Sequence, residues 1–273
     1  MFLIYGNQRI TRYLLYNTVM TYKEIHRMNM TSQLLRTTKS IRDFTDQEIP
    51  QEIINDILAC ACAAPSGGNQ QAYTIINIKD QAIKDKLVTL CDNQPFIAKA
   101  KLALLFCGDV RKWNEAYRAV GLPVSTPCVT ELIGAVTDSV IAAQNSVIAA
   151  AGHGIGSCYI GDVKENCESV RSLLHLPEHV FPSALVVYGY PTEKQMERIK
   201  PERVPMESIV STDTYPLMDE TYLHHMFENK AGKKDYAVWL KMMFDHKAQA
   251  PFMKEMKRSV LEYMKQYRWD IDE

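Results

Sequence analysis

The spacing of hydrophobic positions predicts a chain of alternating helices and short strands. Isoleucines recur at helical spacing after Pro50, a residue that favours a helix start, and they predict a helix over residues 51–63. Runs of β-branched and aliphatic residues bounded by polar turns predict strands. On these criteria we expect further helices over residues 81–91 and 129–151, and strands over residues 73–78, 101–106, 157–160 and 184–188.

The order of these elements favours one fold class. Helices and strands alternate without the regular rhythm of a doubly wound parallel sheet, which favours an α+β layered domain. Residues 215–273 predict two or three amphipathic helices, interrupted near Gly232 and at Pro251. The helix over residues 129–151 carries few charges after Glu131, so we expect it at the domain centre or at a subunit interface.

Residues 1–30 predict no firm element. Arg9 and Arg12 interrupt the apolar start before a stretch of signal-peptide length develops. Met28 and Met30 stand just before the first strong motif, so we expect a chain starting at either one to fold like the full chain.

Composition and charge mainly exclude classes of partner. The sequence has 31 basic and 32 acidic residues, a net charge of -1, which gives no general attraction to nucleic acid or to an anionic membrane. Its seven cysteines form no CxxC pair and have no histidines at zinc-site spacing. We therefore expect no metal site, and free thiols in the reducing cytoplasm.

A basic segment precedes the first predicted helix. Lys39, Ser40 and Arg42 place two cations and a hydroxyl group within four residues. This combination suits a phosphate, because a guanidinium offers two parallel donors, an ammonium a point charge and serine a hydrogen bond. Taken alone, such a segment is more often a solvated basic turn.

Two other groups of polar residues have ordinary structural explanations. Pro65, Ser66 and Asn69 stand in a small-residue loop that is, by itself, most typical of a polar connection. His153 and His175 are candidate general bases, but no carboxylate partner is predicted for either. We interpret both histidines as structural or surface residues.

Five motifs, in this order, resemble the nitroreductase family of flavin enzymes. They are TTKSIRDF, PSGGNQQ, AQNSVIAAAGHGIGSCYIG, FPSALVVYGYP and KPERVP. Within the family the chain is most similar to the larger, NADPH-preferring branch of oxygen-insensitive nitroreductases and NADPH–flavin oxidoreductases. The resemblance implies a layered α/β/α domain with a mostly antiparallel sheet, an intertwined homodimer and FMN held non-covalently at the dimer interface.

The resemblance also implies a domain organisation. Residues 1–30 form a leader of uncertain order, residues 31–205 the FMN-binding core, and residues 206–273 a helical extension that packs on the core.

The family signature that holds the flavin phosphate and ribityl chain is matched near the start of the core. Its serine and final arginine are present, whereas its first two positions depart from the family pattern. The matching residues are Thr38, Lys39, Ser40, Ile41 and Arg42.

The other motifs carry the remaining residues that the resemblance places on FMN. They comprise a loop that reaches the flavin ring from the partner chain, a glutamine, a segment along the ring and a basic pair near its edge and phosphate. In that order they are Pro65, Ser66, Asn69, Gln94, Tyr159, Ile160, Gly161, Lys200 and Arg203. Glu202 is one residue more than the family motif has between its two basic positions.

The implied activity is a two-step, ping-pong oxidoreduction. NADPH would deliver hydride to FMN, and a nitroaromatic, quinone or flavin would then accept the electrons at the same site. No catalytic side chain is expected, because the cofactor carries the chemistry. The alternatives are a non-catalytic FMN-binding dimer and a specialised flavin-handling enzyme of the same family.

A basic stretch in the C-terminal extension is the candidate for recognising the 2′-phosphate of NADPH. In the similar branch, arginines of a mobile segment there make this contact, and Lys233 and Lys234 stand at the corresponding place. The alternative is a solvated linker between two helices.

Overall fold

The computed structural model describes residues 29–269. These residues form two compact units, one of residues 29–198 with residues 255–269 and one of residues 199–254. The expectation that a chain starting at Met28 or Met30 folds normally concerns residues that lie almost entirely outside the described part.

The elements of the first unit follow the predicted alternation, with short additions. Its helices are α1 (Met30–Thr37), α2 (Gln51–Cys62), α3 (Gln81–Leu90), α4 (Phe96–Lys99), α5 (Arg111–Ala119), α6 (Val129–Gly152), α7 (Cys167–Leu174) and α8 (Glu193–Glu197). Its strands are β1 (Tyr73–Asn77), β2 (Leu102–Asp109), β3 (Gly156–Ile160) and β4 (Val180–Gly189).

The strands form one antiparallel sheet in the order β1-β2-β4-β3. All residues of β2 and β4 are buried, as expected for the central strands. β4 begins four residues earlier than the predicted start at residue 184. The strand continues through Pro182 because the pairing register shifts there, so that Phe106 pairs with Ala184 but Cys107 pairs with Pro182. A proline is tolerated inside a sheet at such a bulge.

Helices cover both faces of this sheet. Alternate β2 residues point to opposite sides, with Leu104 in the core beneath α2 and α6, and Leu105 in the core shared with α3, α4 and α7. The predicted α+β layered class is therefore confirmed.

Helix α6 crosses the sheet as the predicted apolar helix. Ala142, Ala143 and Val147 lie in the core between α6, α2 and the sheet. Ile133 and Val140 are on the outer side, 62% and 42% exposed. By length and composition α6 could also span a membrane, but its inner side is packed against the sheet.

The second unit contains α9 (Glu220–Ala231), α10 (Tyr236–Lys247) and the start of α11 (Pro251–Met264). Asp219 and Asp235 cap α9 and α10 by accepting backbone N–H bonds. The predicted interruption at Gly232 is present, and its φ of 60° lies in the left-handed region. The two compact units divide after residue 198, and the functional boundary after residue 205 stays a prediction.

Candidate functional site

The signature segment is attached to the edge of the sheet. After α1 ends, Ser40 forms a parallel bridge with Ser157 of β3, and the Ile41 N–H donates to the Ser157 carbonyl at 2.8 Å. β3 continues to Tyr159 and Ile160. The structure therefore brings two sequence-predicted groups together, although more than 100 residues separate them.

This attachment depends on a close approach of the Ile41 side chain to the backbone of Gly156. Ile41 is only 2% exposed, and a Cβ placed on Gly156 would lie 2.5 Å from the Ile41 Cγ1 atom. Phe44 packs on Gly189 in the same way, because a Cβ placed on Gly189 would lie 2.7 Å from the Phe44 Cγ atom. Both glycines are thus fixed by packing, because any side chain would occupy the space of the signature segment.

Lys39 is turned into the protein. Its side-chain amino group donates to the Met196 carbonyl at 2.8 Å and also to the Arg198 carbonyl. Burial, aided by the Arg198 charge, lowers the pKa of Lys39 to about 8. The predicted phosphate ligand Lys39 therefore holds the backbone of residues 196–198.

Arg198 is a member of the site that the sequence analysis missed. Its Nη2 donates to the Ser40 carbonyl, and its buried Nε has no hydrogen-bond partner within residues 29–269. Burial raises the pKa of the nearby Cys158 thiol, whereas the charges of Arg42 and Arg198 and hydrogen bonds from Ser40 and Arg42 oppose the rise. Two guanidinium groups and the exposed Ser40 thus lie in the neighbourhood of the Cys158 thiol.

This donor set fits the phosphate of FMN. A dianionic group can accept charge-assisted hydrogen bonds from both arginines and from Ser40. An unpaired buried N–H such as the Arg198 Nε is costly unless a partner is supplied. The signal in the sequence was a third basic residue, two positions before Lys200, outside the recognised motif.

The far end of β3 meets the predicted glutamine. The Gln94 amide donates to the Cys91 carbonyl at 2.9 Å and to the Asp162 carboxylate at 2.6 Å. Asp162 directly follows Gly161, so Gln94 is fixed beside the segment that the resemblance places along the flavin ring.

A buried carboxyl group lies beside this contact. Glu165 is 5% exposed, and its Oε1 has no hydrogen-bond partner in the described part of the chain. Burial, followed by the charges of Asp162, Asp92 and Glu255, raises the pKa of Glu165 to about 7. The sequence analysis did not single out this residue.

The loop of Pro65, Ser66 and Asn69 is attached to a different part of the first unit. The Gly67 N–H donates to the Asp138 carboxylate of α6 at 3.0 Å. Pro65 and Asn69 are exposed. The loop follows α2 and is tied to α6, on the sheet face opposite Ile41. Within one chain it is thus held apart from the signature segment.

The remaining predicted residues lie in the second unit. Burial and the neighbouring Arg203 charge lower the pKa of Lys200, so these two cations are close to each other. Lys233 and Lys234 are exposed in the turn between α9 and α10.

One expectation about the histidines was wrong. His153 has a carboxylate partner, because its Nε2 lies 2.7 Å from an Asp56 carboxylate oxygen. The pair joins the end of α6 to α2, where His153 caps the helix. Within residues 29–269, no group of three or more histidine, cysteine or acidic residues is arranged to hold a metal ion.

Comparison with known proteins decides the family. The sequence model of the Nitroreductase family matches residues 35–190 of this chain. The chain belongs to the nitroreductase family. This family member is 29% identical over 252 residues to an FMN reductase (NADPH) of Bacillus subtilis, covering 88% of this chain and 98% of the relative. It is 30% identical over 251 residues to an oxygen-insensitive NADPH nitroreductase of Salmonella typhimurium, covering 89% and 99%.

Solved structures agree with this family. The fold matches the structure of B. megaterium NfrA1 with a TM-score of 0.75 and 29% identity, covering 86% of this chain and 98% of that one. The resemblance inferred from the five motifs and the layered fold it implied are confirmed.

Proposed function

We propose that this nitroreductase family member is an FMN-dependent oxidoreductase that uses NADPH to reduce nitroaromatics, quinones or flavins. The observation that carries the proposal is the cluster of Ser40, Arg42 and Arg198 at the β3 edge, which suits the phosphate of FMN. The names of the two bacterial relatives, an FMN reductase and an NADPH nitroreductase, support the same activity.

The residues of the chain hold and orient the cofactor and do not attack the substrate. Bound FMN supplies a group that accepts hydride from the nicotinamide and passes electrons to the second substrate. The signature segment and Arg198 would hold the phosphate end, and the backbone of Tyr159–Gly161 would lie along the ring. The Gln94–Asp162 hydrogen bond keeps that backbone in place. A single site would serve both substrates in turn, which gives ping-pong kinetics.

The site would be completed by a second copy of the chain. Ile133 and Val140 form an exposed apolar strip on one side of α6, and burial of such a strip favours association of two chains. The loop of Pro65, Ser66 and Asn69 is tied to the same helix by Gly67 and Asp138. A dimer formed through α6 would carry this loop towards the partner, where it could reach the partner's flavin.

The proposal extends to the location of the protein in the cell and to its other partners. We propose that α6 is an interior and interface helix, because its small residues pack against the sheet, and that the protein binds neither membrane nor nucleic acid. All seven cysteines lie in the described residues as free thiols, which suits the cytoplasm. We assign the FMN-binding core to residues 31–205 and the helical extension to residues 206–273.

Purification followed by an anaerobic titration tests the proposal. The protein should purify as a yellow dimer, and its flavin absorbance should be bleached by NADPH and restored by a nitroaromatic or quinone. A parallel titration with NADH measures nucleotide preference. A flavin-loaded protein that NADPH does not bleach would be a binding dimer without this activity, and a protein without affinity for FMN would overturn the proposal as a whole.

A further inference from the structure

The first basic residue of the signature, Lys39, turns its amino group towards a neighbouring backbone segment. The Lys39 side chain is 6% exposed, and its amino group donates to the carbonyl oxygens of residues 196 and 198. These two bonds join the signature to the segment that follows α8. Two of the three N–H donors of this amino group thus hold backbone carbonyl oxygens, which makes Lys39 a residue that fixes the backbone of residues 196–198.

Arg198 places a second positive charge beside the signature segment. The residue directly follows α8, and its guanidinium group reaches back to the Ser40 carbonyl. The Gln195 side chain strengthens the same junction by accepting the Arg42 N–H at 3.3 Å. The segment 195–198 and the signature are thus joined at three signature positions, residues 39, 40 and 42.

The guanidinium group retains capacity for a further acceptor. Its Nη2 bond uses one of five N–H donors, and its buried Nε has no protein partner within the described residues. Arg42 is exposed, both arginine charges act on the Cys158 thiol, and two cations in one neighbourhood favour the binding of a dianion. A phosphate oxygen is the acceptor that this geometry lacks.

We propose that Arg198 binds the cofactor phosphate together with Ser40 and Arg42, and that Lys39 is a positioning residue that acts through Arg198. The proposal rests on the proposed function, since it takes FMN as the ligand. It adds a cofactor contact outside the recognised motifs and replaces direct phosphate binding by Lys39 with control of the 196–198 backbone.

Comparing FMN with riboflavin isolates the phosphate contact. Apoprotein is titrated with each flavin, and binding is followed by quenching of flavin fluorescence. Arg198→Ala should raise the FMN dissociation constant about tenfold or more, the effect of one charge-assisted hydrogen bond, and leave the riboflavin constant nearly unchanged. Lys194→Ala is the matched control, because it removes an exposed cation from α8. It should change neither constant.

A double-mutant cycle separates positioning from direct contact. Lys39→Met keeps the apolar stem and removes the amino group, so it should weaken FMN binding but not riboflavin binding. The double variant Lys39→Met/Arg198→Ala should bind FMN no more weakly than Arg198→Ala alone, because Lys39 acts only through Arg198. Lys39→Arg should restore part of the affinity. Additive losses would show that Lys39 contacts the phosphate itself.

The outcomes distinguish this inference from the function on which it rests. A wild-type protein that binds neither flavin would overturn the proposed function. A wild-type protein that binds FMN, with an Arg198→Ala variant that binds it equally well or loses both flavins equally, would overturn the role of Arg198 alone. If Lys39→Met does not fold, the Arg198→Ala comparison still decides the phosphate contact.

Discussion

At the scale of single residues, Glu165 makes the strongest prediction about pH. Its pKa is raised to about 7 by burial and by three neighbouring carboxylates. Since the folded state holds the proton more tightly than the unfolded state, folding stability falls as pH rises from the ordinary glutamate pKa towards 7.

Replacing Glu165 by its neutral analogue should remove this loss. We expect Glu165→Gln to gain roughly 1–3 kcal/mol in unfolding free energy relative to wild type between about pH 5 and about pH 8. Urea unfolding of the holoprotein across this range, with saturating FMN for both proteins, measures the difference. Glu52→Gln on the exposed face of α2 is the control. A difference that does not change with pH would mean that Glu165 stays ionised in the folded protein.

Local sequence patterns could identify some site residues and not others. Lys39, Ser40 and Arg42 were predictable because a hydroxyl between two cations is visible within four residues. The inward turn of Lys39 was not, because it depends on carbonyl oxygens of residues 196 and 198, more than 150 positions away. Arg198 and Glu165 were missed for the same reason, since Ser40, Asp92 and Glu255 are far from them in sequence and approach them only in the folded chain.

At the scale of elements, the turn between α9 and α10 tests the nucleotide preference. Lys233 and Lys234 are exposed there, next to Gly232. Lysines attract the 2′-phosphate of NADPH as point charges, and NADH lacks this group. Lys233→Ala/Lys234→Ala should raise KM for NADPH severalfold and leave NADH turnover and FMN content nearly unchanged.

Steady-state kinetics with both nucleotides decides the role of this turn. Lys241→Ala, an exposed lysine on α10, serves as the charge control. Equal losses with NADPH and NADH would assign the turn to folding, and no loss with either would make it an ordinary linker. The effect should also weaken at high salt, because exposed charges are screened.

Long or strongly patterned elements were predictable, and short ones were not. α6 and the buried strand β2 agree closely with their expected ranges, since an apolar run leaves few alternatives. No helix was predicted over α5, which is mostly polar, or α7, which is eight residues long. Residues with left-handed φ angles, Asn166 and His175, border α7, and the sequence gives little sign of such boundaries.

At the scale of the whole molecule, the exposed side of α6 predicts an obligate dimer. A charge at the centre of an apolar interface is costly when it has no partner. Ile133→Asp/Val140→Asp should therefore give a monomer with little bound FMN, because each site would lose residues from the partner.

Sedimentation velocity, with flavin content measured on the same sample, checks this expectation. Val120→Asp replaces an exposed valine at the end of α5 and should leave both the dimer and its FMN intact. A folded, flavin-loaded monomer of the α6 variant would show that the site is complete within one chain.

The contact between Ile41 and Gly156 also limits the order in which mutations can accumulate. Gly156→Ala alone should cost about 1–3 kcal/mol of unfolding free energy, because its methyl group overlaps the Ile41 side chain. Gly152→Ala at the end of α6, where no atom lies within 4 Å, is the control. Ile41→Ala/Gly156→Ala should cost less than the sum of the two single changes, as measured by urea unfolding. During evolution, a larger residue at position 156 would therefore be tolerated more readily after position 41 had become smaller than before. A change at position 156 would then be accompanied by a change at position 41, inside the cofactor signature.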